Sequence, residues 1–373
     1  MAATARRCAK TKCSAILPND VRAVRQIVNR LVRSRMVGLP VPFPTSKKVA
    51  SMRAQTLITG AAGFIGSHLT EHLLHQGHSV VALDNFCNFY PPAWKRDNLA
   101  LASQNKRFAL AEIDIRNRQS VMNAVATYQP QIIVHLAALA GVRPSIERPS
   151  EYTEVNVNGT VHLLDAAVTH GCERFVFASS SSVYGNNSKV PFAENDPVDH
   201  PISPYAATKK SGELICHTYS HLHRLPIACL RFFTVYGPRQ RPDLAISKFL
   251  NLIRHNEPIP VFGDGSTSRD YTFIDDIVAG ICSSIDRCQA GHGCRIYNLG
   301  GKEPVTLKRL IKIIERVTGC TAKQESQPMQ PGDVVQTWAD LTRSEAELDY
   351  YPGTDIESGI TRQWQWCLQQ DSR

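Results

Sequence analysis

The stretch TLITGAAGFIGSHLTEHLLHQGH, which begins at Thr56, constrains the fold more than any other part of the sequence. An apolar strand leads to Gly60, Gly63 and Gly66, and a helix with one apolar face follows directly. A second apolar run ends at Asp84, 18 residues after the last of these glycines. Three glycines between a strand and a helix, with an acid at the end of the next strand, are typical of a dinucleotide-binding βαβ unit.

Each residue of this pattern has a physical task in holding a dinucleotide. Gly60 permits the tight turn, Gly63 lets the backbone approach the pyrophosphate, and Gly66 lets the helix pack closely on the sheet. The N-terminus of the helix then faces the phosphate charge. Asp84 is placed to accept hydrogen bonds from both ribose hydroxyls of NAD, and its charge would repel the 2′-phosphate of NADP. The pattern therefore predicts NAD as the cofactor.

Further apolar runs continue this alternation of strands and helices. They lie at 108–114, 132–138, 174–180 and 227–233. Such alternation predicts an α/β fold with a parallel, doubly wound sheet and helices on both faces. Ligands of these sheets bind at the carboxyl ends of the strands, where the sequence places Asp114, Ala137, Ala138 and the serines at 179–182.

The net charge of +9 is concentrated in one part of the chain. Residues 1–51 carry eleven Lys and Arg and one acid, Asp20, whereas the remainder carries 31 basic and 32 acidic residues. The body of the protein is close to neutral, so its charge gives no reason to expect a nucleic-acid partner. We interpret residues 1–51 as a basic N-terminal extension that is disordered or precedes the true start. An amphipathic helix over 21–32 leaves a transit peptide or a membrane-surface anchor as alternatives.

The eleven cysteines include no C-x-x-C pair and no Cys/His cluster. This pattern is typical of a reducing compartment and favours neither zinc nor a disulfide framework, so we expect a cytoplasmic protein without a metal. No apolar run approaches the roughly 18 residues of a transmembrane helix, and no membrane insertion is expected. We divide the remaining chain into an NAD-binding core over 52–235 and a C-terminal part over 236–373 whose chain returns to the core.

The segment SPYAATKK places Tyr205 and Lys209 at positions i and i+4, which share one face of a helix. A free tyrosine has a pKa of about 10 and is a poor base at neutral pH. A nearby lysine cation and the positive nicotinamide ring would lower that pKa. Tyr205 would then take a proton from a sugar hydroxyl while a hydride leaves the same carbon for NAD. A serine of the run FASSSSVYG would hydrogen-bond the same oxygen.

Residues 52 to about 368 resemble the extended short-chain dehydrogenases/reductases of the sugar-nucleotide epimerase type. The matching segments, in family order, are TGAAGFIGSHL, HLAA, SSSSVYG, YAATK, RFFTVYGP, RDYTFIDD and PGD. The resemblance implies a Rossmann fold with a smaller C-terminal substrate-binding part, a UDP-sugar substrate and a homodimer. It also implies Ser180, Tyr205 and Lys209 as the catalytic set, since Ser180 lies four residues before Tyr184, which is the family's spacing.

The residues assigned to the cofactor lie in the glycine turn, at the strand ends and in the Tyr/Lys motif. Small side chains at Ala137 and Ala138 leave room for the dinucleotide, and Asp114 would meet the adenine. The full set is Gly60, Gly63, Phe64, Ile65, Gly66, Asp84, Asp114, Ile115, Leu136, Ala137, Ala138, Tyr205 and Lys209.

The residues that follow Ser180 distinguish the reactions of this family. Sugar-nucleotide dehydratases of the family carry Asp-Glu directly after the catalytic hydroxyl residue, and UDP-glucuronate decarboxylases commonly carry Glu there. This chain has Ser181 and Ser182 instead, with no acid. The simple outcome is oxidation at carbon 4, rotation of the keto sugar and return of the hydride to the other face, which is a 4-epimerase reaction.

Oxidising a hexuronate at carbon 4 creates a β-keto acid, which readily loses carbon dioxide unless its carboxylate is held. Ser181, Ser182, Thr234 and Arg241 are suitable donors to that group; alternatively, the serines and the threonine only satisfy the strand ends. With FFTVYGP…RPD and PMQPGDV, the chain resembles the branch that converts UDP-glucuronate to UDP-galacturonate. The alternatives are a UDP-glucose or UDP-N-acetylglucosamine 4-epimerase, a decarboxylase, a dehydratase, and a non-catalytic NAD-binding or redox-sensing protein.

The resemblance places the nucleotide in the C-terminal part. It implies that Arg269 meets the diphosphate, that Asp333 meets the uridine ribose and that Val261–Phe262 lie near the uracil. The segment PVTLKRLIKIIERVT predicts a helix over 304–318 with an apolar face packed on the core. The adjacent acids Asp275–Asp276 are interpreted as orienting the local fold rather than binding a metal.

Overall fold

The protein is described by a computed structural model that covers residues 56–328 and 334–370. Its strands are β1 (Thr56–Thr59), β2 (Val80–Asp84), β3 (Phe108–Glu112), β4 (Ile132–His135), β5 (Arg174–Ser180), β6 (Ile227–Phe232), β7 (Thr234–Tyr236), β8 (Ile259–Phe262), β9 (Ser268–Phe273), β10 (Cys294–Leu299), β11 (Pro304–Thr306) and β12 (Gln324–Gln327). Its α-helices are α1 (Phe64–His75), α2 (Pro92–Asn98), α3 (Arg118–Tyr128), α4 (Val142–Glu147), α5 (Pro149–Thr153), α6 (Gly159–Thr169), α7 (Pro204–His223), α8 (Ala245–Arg254), α9 (Ile274–Arg287), α10 (Leu307–Thr318), α11 (Thr342–Leu348) and α12 (Ile356–Gln370).

Seven of these strands form a parallel sheet in the order β3-β2-β1-β4-β5-β6-β10. The strand order reverses between β1 and β4, where Thr59 pairs with His135. The predicted doubly wound α/β fold is therefore confirmed. Strands β3 and β4 end earlier than the apolar runs suggest, because the chain leaves the sheet there to form the loops above its carboxyl edge.

Helices cover the sheet on both faces, which explains why its strands are almost continuously apolar. Adjacent strand residues face opposite sides. Leu57 of β1 joins a buried cluster with residues of α3, α6 and α7. Ile58 joins a second cluster with residues of α1 and α9. One apolar layer thus packs on each face of the sheet. The loops at its carboxyl edge lie outside these layers, where a ligand can bind.

Two small sheets stand beside the large one, in the orders β11-β9-β7 and β12-β8. The prediction of a helix over 304–318 is wrong for its first three residues, which form β11 antiparallel to β9. The helix starts at Leu307 because the Thr306 hydroxyl accepts a hydrogen bond from the Arg309 N–H at 3.2 Å, as an N-cap does.

The acids Asp275–Asp276 serve local contacts, as expected. Asp276 accepts hydrogen bonds from the N–H groups of Gly353 and Thr354 at 3.0 and 3.2 Å, and Asp275 pairs with Arg362 at 2.6 Å. Within the described ranges, no group of three His, Cys, Asp or Glu side chains is arranged to hold a metal ion. No helix in the same ranges is both long and apolar enough to cross a membrane.

Helix α7 packs closely on strand β5, and this contact positions the site. Ser203 caps the helix by accepting a hydrogen bond from the Ala206 N–H at 3.1 Å. At Gly212, in the middle of the helix, an added Cβ would lie only 2.3 Å from the ring of Phe177 on β5. Glycine is required there because any side chain would push the helix away from the strand.

We predict that Gly212→Ala destabilises the fold, although alanine is the better helix former. Overpacking of this kind costs about 1–3 kcal/mol, whereas an exposed helical glycine gains up to about 1 kcal/mol on the same change. Urea unfolding measures the difference. Gly353→Ala is the matched control, since a Cβ there meets open space. A Gly212→Ala protein as stable as the wild type would contradict the close approach.

Candidate active site

A cavity of about 430 Å³ opens at the carboxyl ends of the parallel strands, where the strand order reverses. We call it the larger cavity. Among the residues predicted at the site, those that line it are Gly60, Gly63, Phe64, Ile65, Gly66, Asp84, Asp114, Ile115, Leu136, Ala137, Ala138, Ser180, Ser181, Ser182, Tyr205, Lys209, Thr234 and Arg241. The structure thus brings together residues from the N-terminal glycine turn to the loop after β7.

The glycine turn forms a cradle that side chains would fill. Gly60 has a φ of +67°, and a Cβ there would lie 2.8 Å from the backbone nitrogen of Ala137. A Cβ at Gly66 would lie 2.2 Å from the carbonyl oxygen of Gly60. Gly63 precedes the first turn of α1, and it lines the cavity together with Phe64 and Ile65 of that turn. The cradle therefore fits the pyrophosphate of a dinucleotide.

Asp84 is held at the edge of this cradle by backbone donors. One carboxylate oxygen accepts a hydrogen bond from the Ala62 N–H at 3.0 Å and the other from the Phe86 N–H at 2.8 Å. Burial raises the pKa of Asp84, and these bonds together with the charge of Lys95 oppose that rise. Each oxygen keeps a second lone pair, so the carboxylate fits the predicted bonds from the two ribose hydroxyls.

Asp114 sits farther along the same edge and is engaged by two neighbours. Arg116 forms a salt bridge with it at 2.7 Å, and the Asn85 amide donates a hydrogen bond at 3.0 Å. Burial alone would raise its pKa, but the bonds from Arg116 and Asn85 outweigh this and lower the pKa of Asp114 to about 2. Asp114 is therefore a fixed anion at the end of the cavity predicted to hold the adenine.

Lys95 on α2 is a lining residue that the sequence analysis missed. Its side chain is 5% exposed, and its Nζ donates to the Cys87 carbonyl at 2.7 Å. The same Nζ lies 4.7 Å from the ring centre of Tyr90, another lining residue. A buried cation beside the cradle complements an anionic ligand. Nothing in the segment PPAWK points to this role, because only the fold brings α2 to the cavity.

Tyr205 and Lys209 lie on the face of α7 that meets β5. The Lys209 Nζ donates a hydrogen bond to the Ala178 carbonyl at 2.7 Å and lies 6.0 Å from the centre of the Tyr205 ring. Burial lowers the pKa of Lys209 to about 8. Burial raises the pKa of Tyr205, whereas its hydrogen bond with Ser180 and the charge of Arg241 lower it. Ser180 and Arg241 favour the phenolate that a general base requires, but they offset only part of the effect of burial, and the pKa of Tyr205 stays above its ordinary value.

Ser180 ends β5 and starts a 3₁₀ helix over Ser181–Tyr184. Its Oγ accepts a hydrogen bond from the Ser182 N–H at 3.2 Å and lies 3.2 Å from the Ser182 Oγ. Residues 179–184 therefore form a tight turn, which we call the serine turn. The hydroxyls of Ser180 and Ser182 meet there, at the cavity next to Tyr205.

Four groups proposed to bind a carboxylate lie around the same space. Ser181, Ser182, Thr234 and Arg241 all line the larger cavity. The Arg241 guanidinium is fixed by two bonds to Asp243, at 3.0 and 2.7 Å, and lies 4.9 Å from the ring centre of Phe89. Arginine held in one orientation is well suited to a planar anion.

A smaller cavity of about 140 Å³ adjoins the larger one. The two share Val142, Ser181, Ser182 and Thr234 as walls, and Arg269 lines only the smaller cavity. The predicted diphosphate residue is thus next to the serine turn but not inside the larger cavity. The other predicted nucleotide residue, Asp333, lies outside the described residues.

Val261, predicted near the uracil, lines neither of these two cavities. It is buried in the apolar core with Ile259, because alternate residues of β8 face inward. The neighbouring Phe262 points the other way and lies 4.9 Å from the guanidinium of Arg143 on α4. The placement of Val261–Phe262 near the uracil stays a prediction.

Beneath the cradle lies a buried histidine that the sequence analysis did not single out. The Ala137 N–H donates to the Thr59 hydroxyl at 3.1 Å, and that hydroxyl contacts His135 Nδ1 at 2.7 Å. On the other side, His135 Nε2 contacts the Thr160 hydroxyl at 3.0 Å, which donates to the Asn156 carbonyl at 2.6 Å. Every donor and acceptor in this series of hydrogen bonds has a partner only when Nε2 carries the proton. His135 is therefore neutral, and it links β1 and β4 to α6.

Comparison with known proteins gives a consistent result. Residues 56–300 match the profile of the NAD dependent epimerase/dehydratase family. A UDP-glucuronate 4-epimerase of Thermodesulfobacterium geofontis is 42% identical over 311 residues, which are 83% of this chain and 95% of that protein.

Solved structures show the same likeness. A UDP-glucuronic acid 4-epimerase from Bacillus cereus, solved with UDP-glucuronic acid and NAD, has a TM-score of 0.80 and 35% identity, covering 84% of this chain and 99% of its own. A UDP-glucose 4-epimerase from Thermotoga maritima, solved with UDP-glucose, has a TM-score of 0.78 and 28% identity, covering 84% and 99%.

The buried histidine predicts an acid-sensitive fold. Burial lowers the pKa of His135 to about 3, below the value of about 6.5 in an unfolded chain. Below pH 6.5 the unfolded state binds a proton that the folded state does not, so stability is lost as the pH falls. The expected loss is up to about 1.4 kcal/mol per pH unit.

Denaturant unfolding at pH 6.5 and 5.0 measures this loss. His135→Gln should show a smaller drop between the two values than the wild type. The exposed His221 provides the control, since His221→Gln should keep the wild-type drop. Equal drops in the wild type and His135→Gln would contradict the assignment.

Proposed function

Because the chain belongs to the NAD dependent epimerase/dehydratase family, we propose that it is an NAD-dependent isomerase that interconverts UDP-glucuronate and UDP-galacturonate. One observation carries the choice of reaction. The residues after Ser180 are serines that line the cavity together with Thr234 and Arg241. Dehydratases of the family carry Asp-Glu at this turn, and its UDP-glucuronate decarboxylases commonly carry Glu.

NAD, when bound, supplies the acceptor and donor of a hydride at carbon 4 of the sugar. The glycine cradle and Asp84 hold its pyrophosphate and ribose. Tyr205 removes the proton of the carbon-4 hydroxyl and later returns it, stabilised as phenolate by the cation of Lys209 and the hydroxyl of Ser180. No other base is required, because the same tyrosine serves both directions of proton transfer.

The substrate's carboxylate creates a second task for the site. After oxidation at carbon 4, the sugar is a β-keto acid that loses carbon dioxide when its carboxylate is poorly held. Hydroxyls of Ser181, Ser182 and Thr234 and the fixed guanidinium of Arg241 are donors to an ionised group, which are stronger than donors to a neutral one. They also select an acidic sugar, since the Arg241 Nη1 donors, which Asp243 does not use, would meet no anionic group on a neutral sugar.

The main alternative is a 4-epimerase of a neutral UDP-sugar. The structural likeness to the Thermotoga maritima UDP-glucose 4-epimerase favours it. Against it stands Arg241, which is largely buried beside Tyr205 and pairs with Asp243. Its bonds to Asp243 use Nε and Nη2, which leaves Nη1 to donate to an anionic group on the substrate.

We further propose a homodimer that works in the cytoplasm. The family resemblance and the cysteine pattern support these two points. Helix α7 also exposes Leu214 and Leu222, at 57% and 65% of their full surface, which a second copy would cover. Light scattering of the purified chain tests the dimer, and a monomeric mass at micromolar concentration would rule it out.

The purified full-length chain should convert UDP-glucuronate to UDP-galacturonate with NAD as the only cofactor. Chromatographic separation of the products checks this, with UDP-glucose and UDP-N-acetylglucosamine as comparison substrates. Turnover of the neutral sugars without UDP-galacturonate would favour the alternative. Formation of UDP-xylose would indicate a decarboxylase.

Replacement of the proposed base should separate chemistry from binding. Tyr205→Phe is expected to lower epimerisation by roughly 10²–10⁴-fold, while NAD still co-purifies. Tyr219→Phe is the matched control on the same helix, because its hydroxyl bonds Asp165 away from the cavity. Normal turnover by Tyr205→Phe would refute the assigned role.

A further inference from the structure

A fully buried ion pair lies directly behind the serine turn. The Arg231 Nε and Nη2 donate to the two carboxylate oxygens of Glu213 at 2.8 and 2.9 Å, and both side chains are 1% exposed. Lys210 is the other cation near Glu213, with its Nζ 3.8 Å from the carboxylate. Burying such a pair is seldom more stabilising than apolar packing, because both charges lose their water. Its position therefore calls for another explanation.

The pair holds the serine turn at its first residue. The hydroxyl of Ser179, the last position before Ser180, donates to a Glu213 oxygen at 2.6 Å. That oxygen also accepts the bond from Arg231 Nε. The sequence analysis left Ser179 without a role, and the structure gives its hydroxyl a buried, charge-assisted partner.

The pair also holds the turn at its last residue. The Arg231 guanidinium lies 4.7 Å from the ring centre of Tyr184, which ends the 3₁₀ helix. The Tyr184 hydroxyl donates to Asn298 at 2.7 Å, so the ring cannot move independently. Ser180, Ser181 and Ser182, which line the cavity, lie between these two attachment points.

Helix α7 is held by the same contacts. Glu213 lies one turn after Lys209 and two turns after Tyr205, on the face that meets β5. A movement of the serine turn relative to the catalytic helix must therefore break the bond between Ser179 and Glu213 or separate the ion pair.

We propose that Ser179, Glu213 and Arg231 form a positioning clamp that fixes the serine turn against helix α7. The clamp keeps Ser180 at the Tyr205 hydroxyl, and it keeps Ser181 and Ser182 on the carboxylate of the oxidised sugar. None of the three touches the reacting atoms, so they are positioning residues. This inference rests on the proposed function, because its chemical consequence depends on an acidic sugar.

Loosening the clamp should change the products. In the 4-keto sugar acid, the bond between carbons 5 and 6 breaks, carbon dioxide leaves, and the bonding electron pair passes to the keto group as an enolate. The enolate takes up a proton and becomes a UDP-4-keto-pentose. The hydride removed from carbon 4 is not returned, so one NADH remains for each carbon dioxide released.

The first test compares the products of Ser179→Ala with those of the wild type, using UDP-glucuronate. We expect the ratio of UDP-4-keto-pentose and NADH to UDP-galacturonate to rise by at least tenfold. Ser179→Thr keeps a hydroxyl and should restore most of the wild-type ratio. Ser284→Ala is the matched control, because Ser284 is equally buried and bonds only the Ile281 carbonyl, far from the turn.

The second test measures the pH dependence of kcat. Tyr205 is faced by Ser180 from β5, Lys209 from its own helix, Arg241 from the loop after β7 and Tyr152 from α5. Losing the Ser180 hydrogen bond would raise the pKa of the base, so the acidic limb of the profile should move to higher pH in Ser179→Ala. A general loss of stability would not move it, and Ser284→Ala should keep the wild-type limb.

The outcomes separate the two proposals. If the wild type makes no UDP-galacturonate, the proposed substrate is wrong, and the pH test is run on the UDP-sugar that the wild type does convert. If Ser179→Ala keeps both the wild-type product ratio and the wild-type limb, the clamp is overturned whatever the substrate. Should Ser179→Ala fold poorly, Arg231→Lys is the second variant, since it keeps the charge but loses the two-pronged contact.

Discussion

The contact between helix α7 and strand β5 is the constraint on which the site depends. Gly212 allows the helix to lie almost against the strand. Tyr205, Lys209 and Glu213 recur every four residues, so one face of the helix presents all three to the strand end. The base, the cation that assists it and the acid that holds Ser179 are therefore placed by a single packing interaction. Any shift of the helix would misalign all of them together.

The charged groups of the larger cavity have partners within the protein. Backbone N–H groups hold Asp84, a carbonyl holds Lys95, and Asp243 holds Arg241. Side chains that are fixed in this way need little reorganisation when charge moves during a reaction, which is the main electrostatic advantage of an enzyme over water. Buried hydrogen bonds of the scaffold keep these groups in place.

The sequence predicts well the features that depend on nearby residues, and it predicts poorly the features that depend on contacts between distant elements. Asp84 and the glycine turn follow from spacing along one βαβ unit, and parallel strand geometry brings the strand ends to one edge. Lys95 and His135 were not identified, because their partners are supplied by other elements; His135 contacts a threonine 76 residues away. The burial of Val261 in the apolar core could not be foreseen either, because the inward face of β8 depends on its packing. Residues 304–306 were predicted as helix but form β11, because their conformation depends on pairing with β9.

The two adjoining cavities share the serine turn and Thr234 as a common wall. In the proposed reaction, a nucleotide anchored beside Arg269 leaves only its sugar in the larger cavity, where the ring turns over between the two hydride transfers. Substrate and product then differ in the configuration of carbon 4 and in the face that the ring presents to the same walls, and they are held by the same anchor. Like any catalyst, such an enzyme cannot shift the equilibrium between the two sugars. The direction of net flux is set by the cellular concentrations of the two UDP-sugars, and the protein only sets how fast they approach equilibrium.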